Sequence, residues 1–130
     1  MRDHIQQNIS GGTFHGPVAA VMKDCTSIIN SQPPGERKEL LETLHKQIGD
    51  VIGGPPEEKQ QLKKMVANQL KALTEGVTSG TPDRAWYSIS SKGLLEAAKF
   101  VKDFSGEIGG TLKNLGSSFW PDFKMTDIFR

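Results

Sequence analysis

Two proline pairs constrain the fold of this chain more than any other feature of its sequence. Pro33-Pro34 lies within SQPPGE, and Pro55-Pro56 lies within GGPPEE. A proline disfavours helical backbone in the residue before it, yet it fits the first turn of a helix. The two pairs therefore predict two helix boundaries, with separate helices on either side of each.

Apolar residues recur at steps of three and four between these boundaries, which is the pattern of helices with one buried face. The pattern predicts a first helix from Pro17 to Asn30, a second from Glu36 to Ile52, and a third that runs to about Glu75. The connection between the second and third helices is short, so they are predicted to form an antiparallel αα-hairpin.

The pattern of apolar residues in the last part of the chain predicts one long helix. RAWYSIS is interpreted as a short extended or capping segment whose Trp86 and Tyr87 cover one end of the hairpin, and Ser90 or Ser91 would cap the helix that follows. Its apolar residues form a coiled-coil-like seam. They are Leu94, Ala98, Val101, Phe104, Ile108, Leu112, Leu115 and Phe119. Glycines 106, 109, 110 and 116 weaken such a helix and indicate a kink or close approach to a neighbour.

The N-terminus carries no charged residue from Ile5 to Met22. Ile5, Gln7 and Ile9 alternate with polar residues, and the glycine pair at 11–12 before Phe14 is typical of a hairpin turn. Two interpretations stay open, a disordered terminus or a β-prone contact surface that pairs with copies of itself. On the second interpretation, the absence of charge is what lets copies approach.

The predicted fold is therefore all-α. An elongated helical bundle over residues 17–120 is built on the αα-hairpin and the long C-terminal helix. A Gly-rich β ribbon, residues 1–16, precedes it, and a tail of residues 121–130 follows it. At 130 residues the chain is long enough for a single domain.

Charge and composition disfavour several functions. The formal net charge is +1, and acidic and basic residues are interspersed in every third of the chain, so a nucleic-acid footprint is not expected. The single cysteine, Cys25, fits a reducing compartment. With no signal peptide or apolar run of membrane-spanning length in the sequence, the expected location is cytoplasmic.

No pattern of reactive residues predicts an enzyme. Cys25 with His15 could form a nucleophile–base pair, but Cys25 lies on an apolar helix face where a free cysteine usually packs as a small hydrophobe. His4, His15, His45 and Cys25 lack metal-ligand spacing, and His45 is interpreted as a boundary residue. The glycine-rich stretches lack the phosphate-loop spacing. No cofactor is expected.

Three stretches carry a resemblance to known proteins: ISGGTFHGPVAA, PPGERKELLETL and DRAWYSISSKGLLEAAKFVKDFSGEIGGTLKNL. Together they resemble a family of small uncharacterised bacterial proteins in which a glycine-rich β segment precedes helical hairpins. GTFHGPV is also similar to segments beside signalling, NTPase or effector domains in bacterial conflict and defence proteins. The resemblance implies an interaction or oligomerisation module whose protein partner carries the effector domain.

The functional prediction is a non-enzymatic scaffold that self-associates as a homo-oligomer. The residues predicted to mediate this contact are uncharged and either apolar, amide-bearing or small. They are Ile5, Gln7, Ile9, Phe14, Gly106, Gly110, Phe119 and Trp120. The alternative is a peripheral membrane-binding or pore-forming effector that uses the C-terminal amphipathic helix on a membrane surface.

Overall fold

A computed structural model describes residues 16–53, 59–102 and 106–128. Within these ranges the chain forms six α-helices: α1 (Gly16–Asn30), α2 (Glu36–Ile52), α3 (Gln60–Thr78), α4 (Arg84–Val101), α5 (Glu107–Ser117) and α6 (Met125–Ile128). The predicted all-α class is confirmed for this part of the chain. The predicted β ribbon lies outside the described residues, apart from Gly16, where α1 begins.

The third helix, α3, packs most extensively against α1 and α4. Lys71 of α3 contacts Asp24 of α1 at 3.3 Å. Gln32, two residues after α1, and Thr78, the last residue of α3, line the same groove, and together with the Lys71–Asp24 contact this indicates that the two helices run in the same direction. Arg37 at the start of α2 contacts Ser118, just after α5, so those two helices run in opposite directions.

The fourth helix begins at Arg84, seven or eight residues before the start implied by a cap at Ser90 or Ser91. Asp83 is its N-cap, and its carboxylate accepts a hydrogen bond from the backbone N–H of Trp86 at 2.9 Å. The interpretation of RAWYSIS as an extended segment is therefore wrong. The N-cap supplies a partner for an otherwise unpaired helix N–H, and this outweighs the strand preference of Trp, Tyr and Ile.

The predicted long C-terminal helix is also wrong, because it is two helices. Backbone at Lys102 is extended, with φ −163° and ψ 138°, so α4 ends at Val101. The next helix begins after Gly106, the first of the glycines that weaken the predicted seam. The break lets α5 turn back and pack against α2 and α4.

The described side chains of the predicted seam are buried within the single chain, except that of Phe119, which is half-buried. The fully or nearly fully buried ones are Leu94, Ala98, Val101, Ile108, Leu112 and Leu115. Phe104 lies outside the described residues. This seam therefore leaves no excess of apolar surface along α4 and α5 that would need a second copy to cover it.

Two side chains after Trp120, those of Phe123 and Ile128, belong to the core. Phe123 is 2% exposed and Ile128 is 1% exposed. The ring of Phe123 packs edge-on to Tyr87 at 5.4 Å and lies directly over Gly116 of α5. The Tyr87 hydroxyl donates to the carbonyl of Leu112 at 2.6 Å, which ties α4 to α5 beneath this aromatic cluster.

Gly116 and Gly110 form a matched pair for testing this packing. A Cβ on Gly116 would meet the Phe123 ring at 2.5 Å, whereas a Cβ on Gly110 would meet nothing within 4 Å. We expect Gly116→Ala to lower the free energy of unfolding by about 1–3 kcal/mol through overpacking. Gly110→Ala should raise it by up to ~1 kcal/mol through helix propensity. Urea denaturation followed by circular dichroism measures both, and equal effects of the two changes would contradict the packing described.

Candidate functional site

Three large apolar side chains are exposed on the described surface, and two of them lie on one side of α4. Ile89 is 73% exposed and Phe100 is 69% exposed, while Met65 of α3 is 43% exposed. Exposed apolar residues are ordinary when scattered singly, but a contiguous set marks an interaction surface. Their relative positions therefore decide whether they form a site.

Helical spacing places Ile89 and Phe100 in one row. Ala85, Ile89, Gly93 and Phe100 are separated by steps of four, four and seven, which bring them to the same side of a helix. None of the four is buried, whereas the opposite side of α4 faces the core. We call these four residues the α4 face; from Ile89 to Phe100 it extends about 16 Å along the helix.

Contacts at both ends of the α3–α4 pair set the register of the two helices. The Trp86 ring lies directly over Gly76 near the connecting loop. At the other end, the Lys59 ammonium donates to the carbonyl of Phe100 at 2.8 Å. Gly93 is consequently level with Gln69 of α3, and Phe100 is level with the start of α3.

Met65 flanks the α4 face on the side of α3. Met65, Gln69 and Gly76 form a row on α3 at helical steps, and Gly76 is in contact with Trp86, which precedes Ile89 in α4 by one turn. The two rows therefore adjoin. The Oε1 atom of Gln69 is buried and has no hydrogen-bond partner within the described part of the chain.

On its other side the α4 face borders an open groove between α4 and α6. The groove has a volume of about 550 Å³. It is lined by Arg84, Ala85, Ser88, Ile89, Lys92, Asp127 and Ile128. Arg84 forms ion pairs with Asp122 at 3.1 Å and Asp127 at 3.2 Å, which hold the α6 wall of the groove against α4. The floor between these charges is apolar.

Gly93 stands in the middle of the α4 face without a packing reason inside the described structure. A Cβ at this position would meet nothing within 4 Å, in contrast to Gly76, which the Trp86 ring covers. A glycine inside a helix costs about 1 kcal/mol relative to alanine. Its effect here is to leave the helix backbone open to close approach from outside.

The residues predicted from the sequence to mediate self-association are not brought together in one site. Ile5, Gln7, Ile9 and Phe14 lie outside the described residues. Gly106 is exposed at the N-cap of α5 and Gly110 is half-buried one turn later, and a Cβ on either would meet nothing within 4 Å.

Phe119 and Trp120 lie at the opposite end of α5 from these glycines, and they pack onto the core. Both side chains are half-buried. The Arg37 guanidinium covers the Phe119 ring at 3.9 Å, and the Trp120 ring lies 5.7 Å from that of Tyr87. The two aromatic residues therefore hold the end of α5 in place.

Cys25 lies in the core, on the buried face of α1 that the sequence predicted. Its side chain is 0% exposed. Burial raises the pKa of the Cys25 thiol to about 12, because the thiolate would lose its hydration, although Lys71 opposes this. A thiol in this state is a poor nucleophile. His15, its predicted partner, lies outside the described residues.

His45 is buried, at 1% exposure, so its interpretation as a boundary residue is wrong. Its Nε2 atom lies 3.2 Å from the carbonyl of Met22 and 3.3 Å from the Thr26 hydroxyl, which itself donates to that carbonyl. Its Nδ1 atom has no partner among the described residues. Burial lowers the pKa of His45, because the imidazolium would be desolvated. His45 therefore acts as a neutral link between α1 and α2.

No group of three or more histidine, cysteine or acidic side chains among the described residues could hold a metal ion. None of the described helices combines the length and the apolar character needed to cross a membrane.

The sequence interpretation missed Ile89, Gly93 and Phe100. Ile89 lies within the segment that the sequence interpretation treated as extended, so the sequence did not predict that Ile89, Gly93 and Phe100 share one side of a helix. The signal that would have placed it is Asp83 after Pro82, a helix start three residues before Trp86.

Comparison with known proteins found no matching family model, no curated relative and no solved structure.

The state of Cys25 gives one test of the core. We expect Cys25 to react with a thiol reagent such as 5,5′-dithiobis(2-nitrobenzoate) at least about a hundredfold more slowly than a model peptide, because it is buried and protonated at neutral pH. Reaction at the peptide rate in the folded protein would contradict this. Unfolding in guanidinium chloride should restore the full rate.

His45 gives a second test, through the pH dependence of stability. The unfolded chain binds a proton at His45 near the ordinary pKa of about 6.5, whereas the folded chain binds it only at lower pH. The free energy of unfolding should therefore be highest above pH 6.5 and should fall as the pH drops below that value. The measurement is urea denaturation between pH 7.5 and 5.5, and His45→Gln should flatten the curve in this window. An unchanged slope in the variant would contradict the assignment.

Proposed function

We propose that this chain is a non-enzymatic interaction protein that self-associates through the α4 face. The single observation that carries the proposal is the exposed row of Ile89, Gly93 and Phe100 on a helix whose opposite side is buried. Such a row gives up its contact with water when another apolar surface covers it, and this is the main driving force for protein association.

Other features of the described residues support a binding role over a catalytic one. The groove beside the α4 face is open, and Ala85, Ile89 and Ile128 form its apolar lining. Cys25, the one thiol, is buried away from it. Two charged residues lie between Ile89 and Phe100 on this side of α4, Lys92 one turn after Ile89 and Glu96 one turn before Phe100, and such charges can set the orientation of a partner.

The size of the α4 face sets the expected affinity. Stable protein interfaces bury about 1,200–2,000 Å² in total, and smaller ones are typical of weak complexes. A row about 16 Å long on one helix falls at the low end. We therefore expect self-association in the micromolar range, with a reversible dependence on concentration.

The resemblance to modules of bacterial conflict and defence proteins adds a second partner to the proposal. A protein that carries an effector domain would be recruited by the self-associated scaffold, and recruitment to several copies at once raises its effective concentration. The ribbon of residues 1–16 is proposed to take part in these contacts.

Sedimentation equilibrium of the full chain tests self-association. The apparent mass of the wild type should rise from that of a monomer toward twice that value across micromolar concentrations. Ile89→Glu and Phe100→Glu should each weaken association at least about tenfold, because each places a charge where an apolar contact forms. Thr43→Glu, at an exposed position on α2, is the matched control and should leave the association unchanged.

Two outcomes would contradict the proposal. One is a wild type that remains monomeric across this concentration range. The other is a monomer that co-sediments with phosphatidylserine-containing vesicles and loses this binding in the Phe100→Glu variant, since that result would assign the exposed residues to a membrane surface.

A further inference from the structure

We infer that two copies associate by antiparallel pairing of α4, with Phe100 of each copy inserted into the α4–α6 groove of the other. This inference rests on the proposed function and specifies its geometry. It follows from three features of α4: a projecting ring, a groove at the matching distance along the helix, and between them a half-buried glycine whose Cβ position meets no other atom within 4 Å.

The projecting ring and the groove lie at opposite ends of the same helix. Phe100 is 69% exposed in the last turn of α4. The groove is lined by Ala85, Ser88 and Ile89 in the first two turns. In an antiparallel pair with its two-fold axis between residues 94 and 95, Phe100 of one copy is level with Ile89 of the other. The groove has room for an aromatic side chain between Ile89 and Ile128.

Both contacts form at once, because a two-fold axis repeats each contact. An interface of this kind is self-complementary and closes at two copies. Gly93 lies next to the axis, where the two helices cross. With no side chain there, and nothing within 4 Å of where a Cβ would stand, the second helix can approach the backbone closely.

Charge selects the antiparallel arrangement over the parallel one. About the same axis, antiparallel pairing brings Lys92 of one copy to within one residue, about 1.5 Å along the helix, of the level of Glu96 of the other, and the two-fold axis repeats this pair. A parallel pair would bring Lys92 beside Lys92 and Glu96 beside Glu96. Opposite charges across an interface favour one arrangement, and like charges disfavour the other.

Filling the groove provides the first experiment. Ala85 is an exposed residue that lines the groove, so the ring of Ala85→Phe should fill the space that Phe100 of the other copy would occupy. The dissociation constant measured by sedimentation equilibrium should rise at least about tenfold. Ala20→Phe, at an exposed position on α1, is the matched control and should have no effect. Unchanged association of the Ala85→Phe variant would overturn the inference.

A charge exchange provides the second experiment. Lys92→Glu and Glu96→Lys should each weaken the dimer, and the double variant should restore it to within about threefold of the wild type. Thermal denaturation at protein concentrations below the dissociation constant measures the stability of the monomer alone. It therefore separates changes in the stability of α4 from changes in the affinity between copies. Single variants without effect, or a double variant no better than either, would overturn the inference.

Gly93→Ala provides the third experiment, since its two effects should have opposite signs. At concentrations where the chain is monomeric, its Tm should rise by about 2–5 °C through helix propensity. Its dimer should nevertheless be weaker, because the methyl group separates the helices. A variant with a higher Tm and equal or tighter association would overturn the inference.

These results also separate the inference from the proposed function. If the wild type dimerises and Ile89→Glu abolishes the dimer while Ala85→Phe does not, only the antiparallel geometry is wrong. If the wild type does not associate, the proposed function itself is wrong.

Discussion

The contact between the Trp86 ring and Gly76 is the interaction on which the exposed surface of this protein depends. Because the ring lies where a Cβ of residue 76 would stand, the observed approach of α3 and α4 requires glycine at this position. The Lys59 ammonium, bound to the Phe100 carbonyl, holds the same register at the far end. Which side of α4 faces the core, and which faces solvent, follows from these two contacts.

Glycine serves two distinct purposes in the helices of this chain. Gly76 and Gly116 each make room for an aromatic ring of the same chain, Trp86 and Phe123 respectively. Gly93 makes room for nothing within the described residues. Gly110 of α5 is equally open, so an uncovered glycine alone assigns no role, and it is the position of Gly93 between Ile89 and Phe100 that the proposed dimer uses.

The sequence predicted the helical elements well where proline and glycine punctuate the chain. The boundaries of α2 at Glu36 and Ile52 were predicted correctly, and α1 begins one residue before its predicted start. Prediction failed at α4, since the strand-forming residues of RAWYSIS masked the capping signal of Asp83, and at the α4–α5 break, where a continuous apolar period outweighed Gly106. The candidate site lay beyond sequence reasoning, because the exposure of Ile89 and Phe100 depends on how α3 and α6 lie against α4.

The burial of Phe123 and Ile128 has a consequence for how the protein is made. These two side chains complete the packing around Tyr87 and Gly116, yet they follow both residues in the chain and are synthesised after them. During translation, α1 to α5 can therefore begin to pack while Phe123 and Ile128 are still missing from the core. The native core closes only after residue 128 has left the ribosome, and until then the apolar surface that these side chains cover is exposed.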